Sequence, residues 1–267
     1  MSSRQPATVA FSLEEFARHG GPSGPIRDGW GIAYLRQRDA FLVKETAPAG
    51  SSELVRFIES QDIRSTLVLS HIRQARQGPV SFENTQPFLR ELAGRAHVFA
   101  HNGDLHDVAR CGDLHLGRWR PMGDTDSEQA FCALLSALEP LWMDSSGIPA
   151  LGDRLEIVSG FARAIRPLGP ANFLYWDGDA LFAHGHRRRP PGGGPFQPPG
   201  LHTLARHCAF EPDALRTPGV TVETPDAPGQ DVILVASVPL TDEAWQPLDE
   251  GEIVVASGGL LRARERT

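Results

Sequence analysis

The feature that most constrains this chain is a pair of consecutive helical segments set between two runs of short strands. In "TDSEQAFCALLSAL", Thr125 and Glu128 fit a capping box, and Phe131, Leu134, Leu135 and Leu138 make an apolar stripe. In "ALGDRLEIVSGFARAI", Leu151, Leu155, Val158, Ala162 and Ile165 share a face until Pro167 stops the helix. Both stripes have to be buried, and strands on either side supply the apolar surface. The order of elements suits a layered α+β domain, and periodicity takes the topology no further.

Around the pair, "WGIAYL" and "AFLVKE" flank a polar turn, Arg36 to Asp39, and read as a hairpin. "SSELVRFIES" is a short helix with Ser51 or Ser52 as N-cap and Leu54, Phe57 and Ile58 at helical spacing. "STLVLSHIR" and "AHVFAHNG" are strands ending in polar groups, and "NFLYWDGDALFAHG" pairs two strands across Asp177-Gly178. "DVILVASVPL" and "GEIVVASGGLLRAR" close the chain with two or three strands. "GHRRRPPGGGPFQPPG", residues 185–200, is rich in breakers and reads as a solvated surface loop, with an active-site lid as the alternative. By contrast "SSRQPAT" is polar, contains Pro6 and reads poorly as a buried strand. No repeat or composition shift divides the chain, so residues 1–267 are expected to form one domain.

Charge narrows the partners. A net charge of -7 argues against nucleic acid or an anionic membrane and favours a small molecule. Cys111, Cys132 and Cys208 lie far apart in no metal-like spacing, and no apolar window reaches a membrane span. These features fit free thiols in a cytoplasmic protein. No His/Cys/carboxylate cluster has ligand spacing, so neither a metal nor another cofactor is expected.

The chemistry is concentrated in polar clusters at strand ends. "HVFAHNGDL" begins as an apolar run and breaks at His101-Asn102-Gly103-Asp104, which alone reads as an Asn-Gly hairpin turn. The others are "DGWGIAY" from Asp28, "SHIRQAR" from Ser70, "ENTQPF" from Glu83 and "GDTDSEQAF" from Gly123. In order, content and spacing, these five clusters resemble the class II, N-terminal-nucleophile glutamine amidotransferases, particularly small stand-alone members. The likeness runs from "RHGGPSGPIRDGWG" to "PLTDEAW".

That resemblance implies a four-layer αββα sandwich and hydrolysis of the side-chain amide of glutamine, or of a γ-glutamyl conjugate, through a thioester. Asn102 and Gly103 would be the catalytic oxyanion donors, through the Asn side-chain amide and the Gly backbone N–H. Arg73 would hold the substrate carboxylate and Asp126 its ammonium, and His101 would belong to the substrate-binding set. Plainer readings stay open: a surface arginine for Arg73, and a helix-dipole partner for Asp126. Trp30 would pack under the site, and His71 reads as a structural histidine. With no synthase domain in the chain, an ammonia acceptor would come from a partner protein; otherwise the enzyme is a glutaminase or γ-glutamyl amidase.

Two departures stand out. Gln86 occupies a position where many relatives have His; it can donate and accept hydrogen bonds but cannot titrate. The family's nucleophile is a cysteine directly after the initiator Met, using its own α-amino group as base, whereas Ser2 stands here. Three explanations compete. The leading one is a recorded start a few codons late, with Met1 an internal methionine and the cysteine upstream. The second is a pseudoenzyme that binds glutamine or a γ-glutamyl compound without cleaving it. In the third, Ser2 is itself the nucleophile. None of Cys111, Cys132 or Cys208 is placed to replace the missing thiol.

Overall fold

The computed structural model describes residues 1–11, 28–190, 193–208, 220–223 and 229–267. In chain order these form β1 (Ser2–Phe11), β2 (Trp30–Arg36), β3 (Asp39–Glu45), α1 (Glu53–Ser60), β4 (Arg64–Ile72), β5 (Phe88–Leu92) and β6 (Arg95–Gly103). Helices α2 (Asp126–Asp144) and α3 (Leu151–Ile165) follow, then β7 (Ala171–Trp176), β8 (Leu181–Gly185), β9 (His202–Cys208) and β10 (Val220–Glu223). The chain closes with β11 (Gln230–Ala236), β12 (Gln246–Pro247), β13 (Glu252–Ser257) and β14 (Leu260–Arg266).

Two antiparallel sheets result. The first has the order β12-β9-β11-β1-β4-β2-β3, with β10 also against β1; the second is β14-β13-β8-β7-β6-β5. They face each other through alternate residues: Leu67, Leu69 and Ile233 of the first meet Val98, Ala100 and Trp176 of the second. The intervening residues point outward, as the two-residue strand period requires. Phe99, Phe173 and Tyr175 pack under Phe131, Leu134 and Leu138 of α2 and Val158, Phe161 and Ile165 of α3. On the far side, Val55 and Ile58 of α1 cover Trp30, Val68 and Val232. The layers are therefore helix, sheet, sheet, helix pair: the expected α+β sandwich. No helix among the described residues is long and apolar enough to cross a membrane.

Local chemistry explains several boundaries. Ser52 caps α1 by accepting from Val55 N–H at 3.1 Å, and Thr125 caps α2 by accepting from Glu128 N–H at 3.2 Å. Glu128 does not close the box in the usual way; its carboxylate accepts from Gly123 N–H at 2.7 Å and pairs with Arg90 of β5. Helix α2 continues through Pro140, because Trp142 beyond it is buried in the helix layer.

One expectation fails. "SSRQPAT" lies within β1, between β11 and β4, with Ser2 and Ser3 buried. The ladder to β4 breaks register between Ser2 and Ala7, so Pro6 falls where its missing N–H breaks no regular pairing. Polar groups are satisfied locally: Ser3 Oγ donates to Gln5 O at 2.8 Å, and Gln5 N–H donates to Gln230 Oε1 at 2.8 Å.

Candidate active site

The C-terminal ends of β4 and β6, one from each sheet, and the first turn of α2 converge on a cavity of about 330 Å³. Arg73, His101, Asn102, Gly103 and Asp126 all line it, as do His71 and Met1. All five residues expected at the site are therefore brought together.

The "HNG" cluster is not a hairpin turn. β6 continues through it, pairing Asn102 with Asn172 and Gly103 with Ala171 of β7. A Cβ at Gly103 would collide with the Pro170 carbonyl oxygen and the His101 imidazole, so only glycine fits. Gln86 clamps this strand end: its Oε1 accepts from His101 N–H at 2.6 Å, and its Nε2 donates to His101 O at 3.2 Å. Gln86 thus places a two-way hydrogen-bonding amide on the backbone beside Asn102. The Asn102 carboxamide is exposed and has no hydrogen-bond partner among the described residues.

His101 is engaged at both ring nitrogens. Nε2 lies 3.2 Å from Pro170 O, which can only accept, so Nε2 carries the proton and Nδ1 accepts from Ser127 Oγ at 2.9 Å. Burial holds this imidazole below its usual range, that is, neutral. Burial and the neighbouring His101 push His71 down to about 4.

Asp126 is buried, with Oδ2 accepting from Leu105 N–H at 2.7 Å. Its Oδ1 is 3.3 Å from Ser127 Oγ, whose proton is committed to His101, so Oδ1 can receive a donor from the cavity. Arg73 is 3 % exposed. Nη2 donates to Gln77 O at 3.0 Å and Gly78 O at 3.2 Å, while Nη1 is buried without a partner. No carboxylate lies within ion-pair distance among the described residues; the nearby Asp28 accepts instead from Ala75 N–H at 2.7 Å. A guanidinium taken from water with an unfilled donor is unfavourable by several kcal/mol until an anion arrives.

Sequence reasoning missed Asn172, which is 1 % exposed and lines the same cavity. Its Nδ2 donates to Asn102 O at 2.9 Å and to Arg187 O at 2.7 Å, and its Oδ1 accepts from His186 N–H at 2.7 Å. Nothing in "PANF" signals this role. The breaker-rich loop was visible in sequence, but it is not simply solvated: Arg187, Arg188, Arg189 and Phe196 line the cavity.

The nucleophile candidates resolve unequally. Ser2 does not line the cavity, and its Oγ accepts from Gly259 N–H at 3.4 Å. Met1 does line it; its buried α-amino group donates to Val68 O at 2.8 Å and is pushed down to about 5 by burial. Neither Cys111 nor Cys132 lines it, and burial pushes the Cys132 thiol up to about 11. The Cys208 side chain lies outside the described residues. Trp30 is fully buried in the cluster under α1 and donates from Nε1 to Glu45 Oε2 at 3.0 Å.

The family model for class II glutamine amidotransferases matches residues 1–267. "Putative glutamine amidotransferase YafJ" of Escherichia coli is 33% identical over 255 residues, covering 94% of this chain and 93% of that protein. A Haemophilus influenzae protein of the same description is 30% identical over 262 residues, covering 97% and 83%. The crystal structure of a predicted glutamine amidotransferase from Pseudomonas aeruginosa superposes with a TM-score of 0.70 at 32% identity, over 98% of this chain and 97% of that one. Glutamine phosphoribosylpyrophosphate amidotransferase from Bacillus subtilis shares the fold alone, with a TM-score of 0.55 at 13% identity over 98% of this chain and 49% of that one.

Proposed function

The chain belongs to the class II glutamine amidotransferases, and from that premise we propose that its cavity binds the glutamyl group of glutamine or a γ-glutamyl conjugate and that its machinery cleaves the side-chain amide. The observation that carries the reading is Arg73, a buried guanidinium with an unfilled Nη1 among the described residues, lining the same cavity as the Asp126 carboxylate. A free α-amino acid presents one carboxylate and one ammonium, and these two side chains supply one complement to each. His101 and Gln86 are positioning residues here: both ring nitrogens of the first and both amide atoms of the second are spent on Ser127 and backbone groups. The free thiols of Cys111 and Cys132 fit a reducing compartment such as the cytoplasm.

In the proposed reaction an N-terminal cysteine thiol gives its proton to its own α-amino group, and the sulfur attacks the amide carbon. The oxyanion receives hydrogen bonds from Asn102 Nδ2 and Gly103 N–H, each worth roughly 3 kcal/mol of barrier. Collapse breaks the C–N bond, the nitrogen leaves with the proton from the ammonium, and water cleaves the thioester to release glutamate. This scheme needs an N-terminal cysteine that the sequence does not contain; a start upstream of Met1 would supply it, and Met1, just ahead of β1, lines the cavity. A second reading, binding without cleavage, is favoured by Ser2 facing Gly259 rather than the cavity.

The test compares the 267-residue chain with a form extended upstream to a processed N-terminal cysteine. The extended form should release glutamate from L-glutamine or from a γ-glutamyl amide in a panel. Binding by calorimetry with no turnover in the extended form would leave the binder. If L-glutamine does not bind, or if Arg73→Ala binds it as tightly as the unmodified chain, the glutamyl reading is lost.

A further inference from the structure

The cavity holds more positive charge than a glutamyl group needs. Five arginines and two aspartates line it, in a chain whose net charge is -7. Arg73 and Asp126 are assigned above to the glutamyl carboxylate and ammonium, and Asp104 accepts from Gln77 Nε2 at 2.6 Å. The remaining four arginines are Arg76, from the segment after β4, and Arg187, Arg188 and Arg189, from the segment after β8.

Among the described residues, only one of those four has a counter-charge. Arg187 pairs with Glu250 at 2.6 Å. Arg76 and Arg189 approach the same Phe196 ring, at 6.0 and 5.1 Å from its centroid, and neither has an acidic partner among the described residues. Arg188 donates from Nη1 to Ser237 O at 2.6 Å and likewise has no acid beside it. Like charges gathered in a partly enclosed space repel one another and raise the local potential for an anion.

The loop that carries them is built rather than loosely draped. Arg188 and Gln197 exchange two backbone hydrogen bonds at 3.0 Å each. The Asn172 amide holds both His186 N–H and Arg187 O, and Gly200 packs so close to that amide that a Cβ would collide with it. The same Asn172 holds Asn102 O, so the arginine loop and the proposed oxyanion donor share one support.

Beyond its carbonyl carbon, glutamine presents only an uncharged amide nitrogen, which gives Arg76, Arg188 and Arg189 nothing to bind. We infer that the group attached to that nitrogen, or delivered to it, is anionic, carrying a phosphate, sulfonate or carboxylate that this cluster receives. The substrate class is then either a γ-glutamyl amide of an anionic amine or glutamine together with an anionic acceptor of its ammonia. The inference rests on the glutamyl reading of the same cavity.

Calorimetry on the 267-residue chain tests it with L-glutamine, γ-glutamylethylamide and γ-glutamyltaurine, the last two differing chiefly in a sulfonate. A charge-assisted contact predicts that the sulfonate conjugate binds about tenfold or more tightly than the ethylamide. An Arg76→Gln/Arg189→Gln variant should bring the two within about twofold while leaving L-glutamine affinity unchanged, which also shows that the variant folds. Inorganic phosphate titrated into the chain saturated with L-glutamine separates the sources: heat of binding there identifies an anionic acceptor, and its absence alongside a conjugate preference identifies an anionic leaving amine. The inference is overturned if the conjugates bind alike and phosphate gives no heat beside glutamine, or if the double variant keeps the preference. Phosphate binding without any L-glutamine binding would sink the glutamyl reading and leave the anion site standing.

Discussion

At the C-terminal end of β6, the Gly103 backbone is pressed between the Pro170 carbonyl and the His101 imidazole, and this closeness brings the Asn102 and Gly103 donors to the cavity edge. Burial of neutral groups continues along the same strand. His97 is fully buried, with Nδ1 2.6 Å from the Tyr175 hydroxyl and its ring edge-on to Trp142. Burial pushes it down to about 3. The unfolded chain binds a proton near pH 6.5 that the folded protein refuses, so this contribution is intact above that pH and is lost as pH falls toward 3. Between pH 7 and pH 5 the loss is about 2 kcal/mol, given ~1.4 kcal/mol per pKa unit. Urea unfolding of the wild type and His97→Gln at both pH values should show a shallower loss in the variant by about that amount. Parallel losses would mean that His97 titrates normally.

Among the elements, the helices were the most legible, because a 3.6-residue stripe and a Ser or Thr cap are local signals that survive without tertiary context. Strand β9 was not: "HTLARHC" looks polar, and its Arg206 is buried only because Glu243, far along the chain, accepts from its Nε at 2.8 Å. Asn172 escaped notice for the same reason, since its partners come from β6 and from the loop after β8. It should behave as a joint between those elements. Asn172→Ala removes three hydrogen bonds and leaves Asn102 O and Arg187 O without the donor they share, a loss of about 2–3 kcal/mol. The midpoint of urea unfolding reads that loss. The joint also predicts that the preference for γ-glutamyltaurine over γ-glutamylethylamide weakens more than L-glutamine affinity does. Equal weakening of both would assign Asn172 to the glutamyl pocket alone.

Over the whole molecule, residues from the polar clusters come to line one cavity, but the sequence does not say how. Arg73 and Asp126 lie far apart in sequence; β4 ends in one sheet, and α2 begins beside the other. Their meeting depends on the helix pair being docked correctly, and one buried ion pair helps to set that docking. Arg154 of α3 reaches the β7–β8 turn, with Nη1 2.6 Å from Asp177 Oδ2 and Nη2 2.9 Å from Asp179 Oδ2. Asp177 is fully buried, and its Oδ1 also accepts from Asp179 N–H at 3.0 Å and Ala180 N–H at 2.8 Å. Arg154→Leu would therefore strand a carboxylate in the interior, and breaking such a pair from one side typically destabilises by 3–5 kcal/mol, taken here as about 4. Adding Asp177→Asn keeps the acceptor for the turn but removes the charge. The double variant should regain about half of the loss in urea unfolding if uncompensated charge dominates. A double variant no more stable than Arg154→Leu would show instead that the arginine's packing between α3 and the second sheet holds the layer in place.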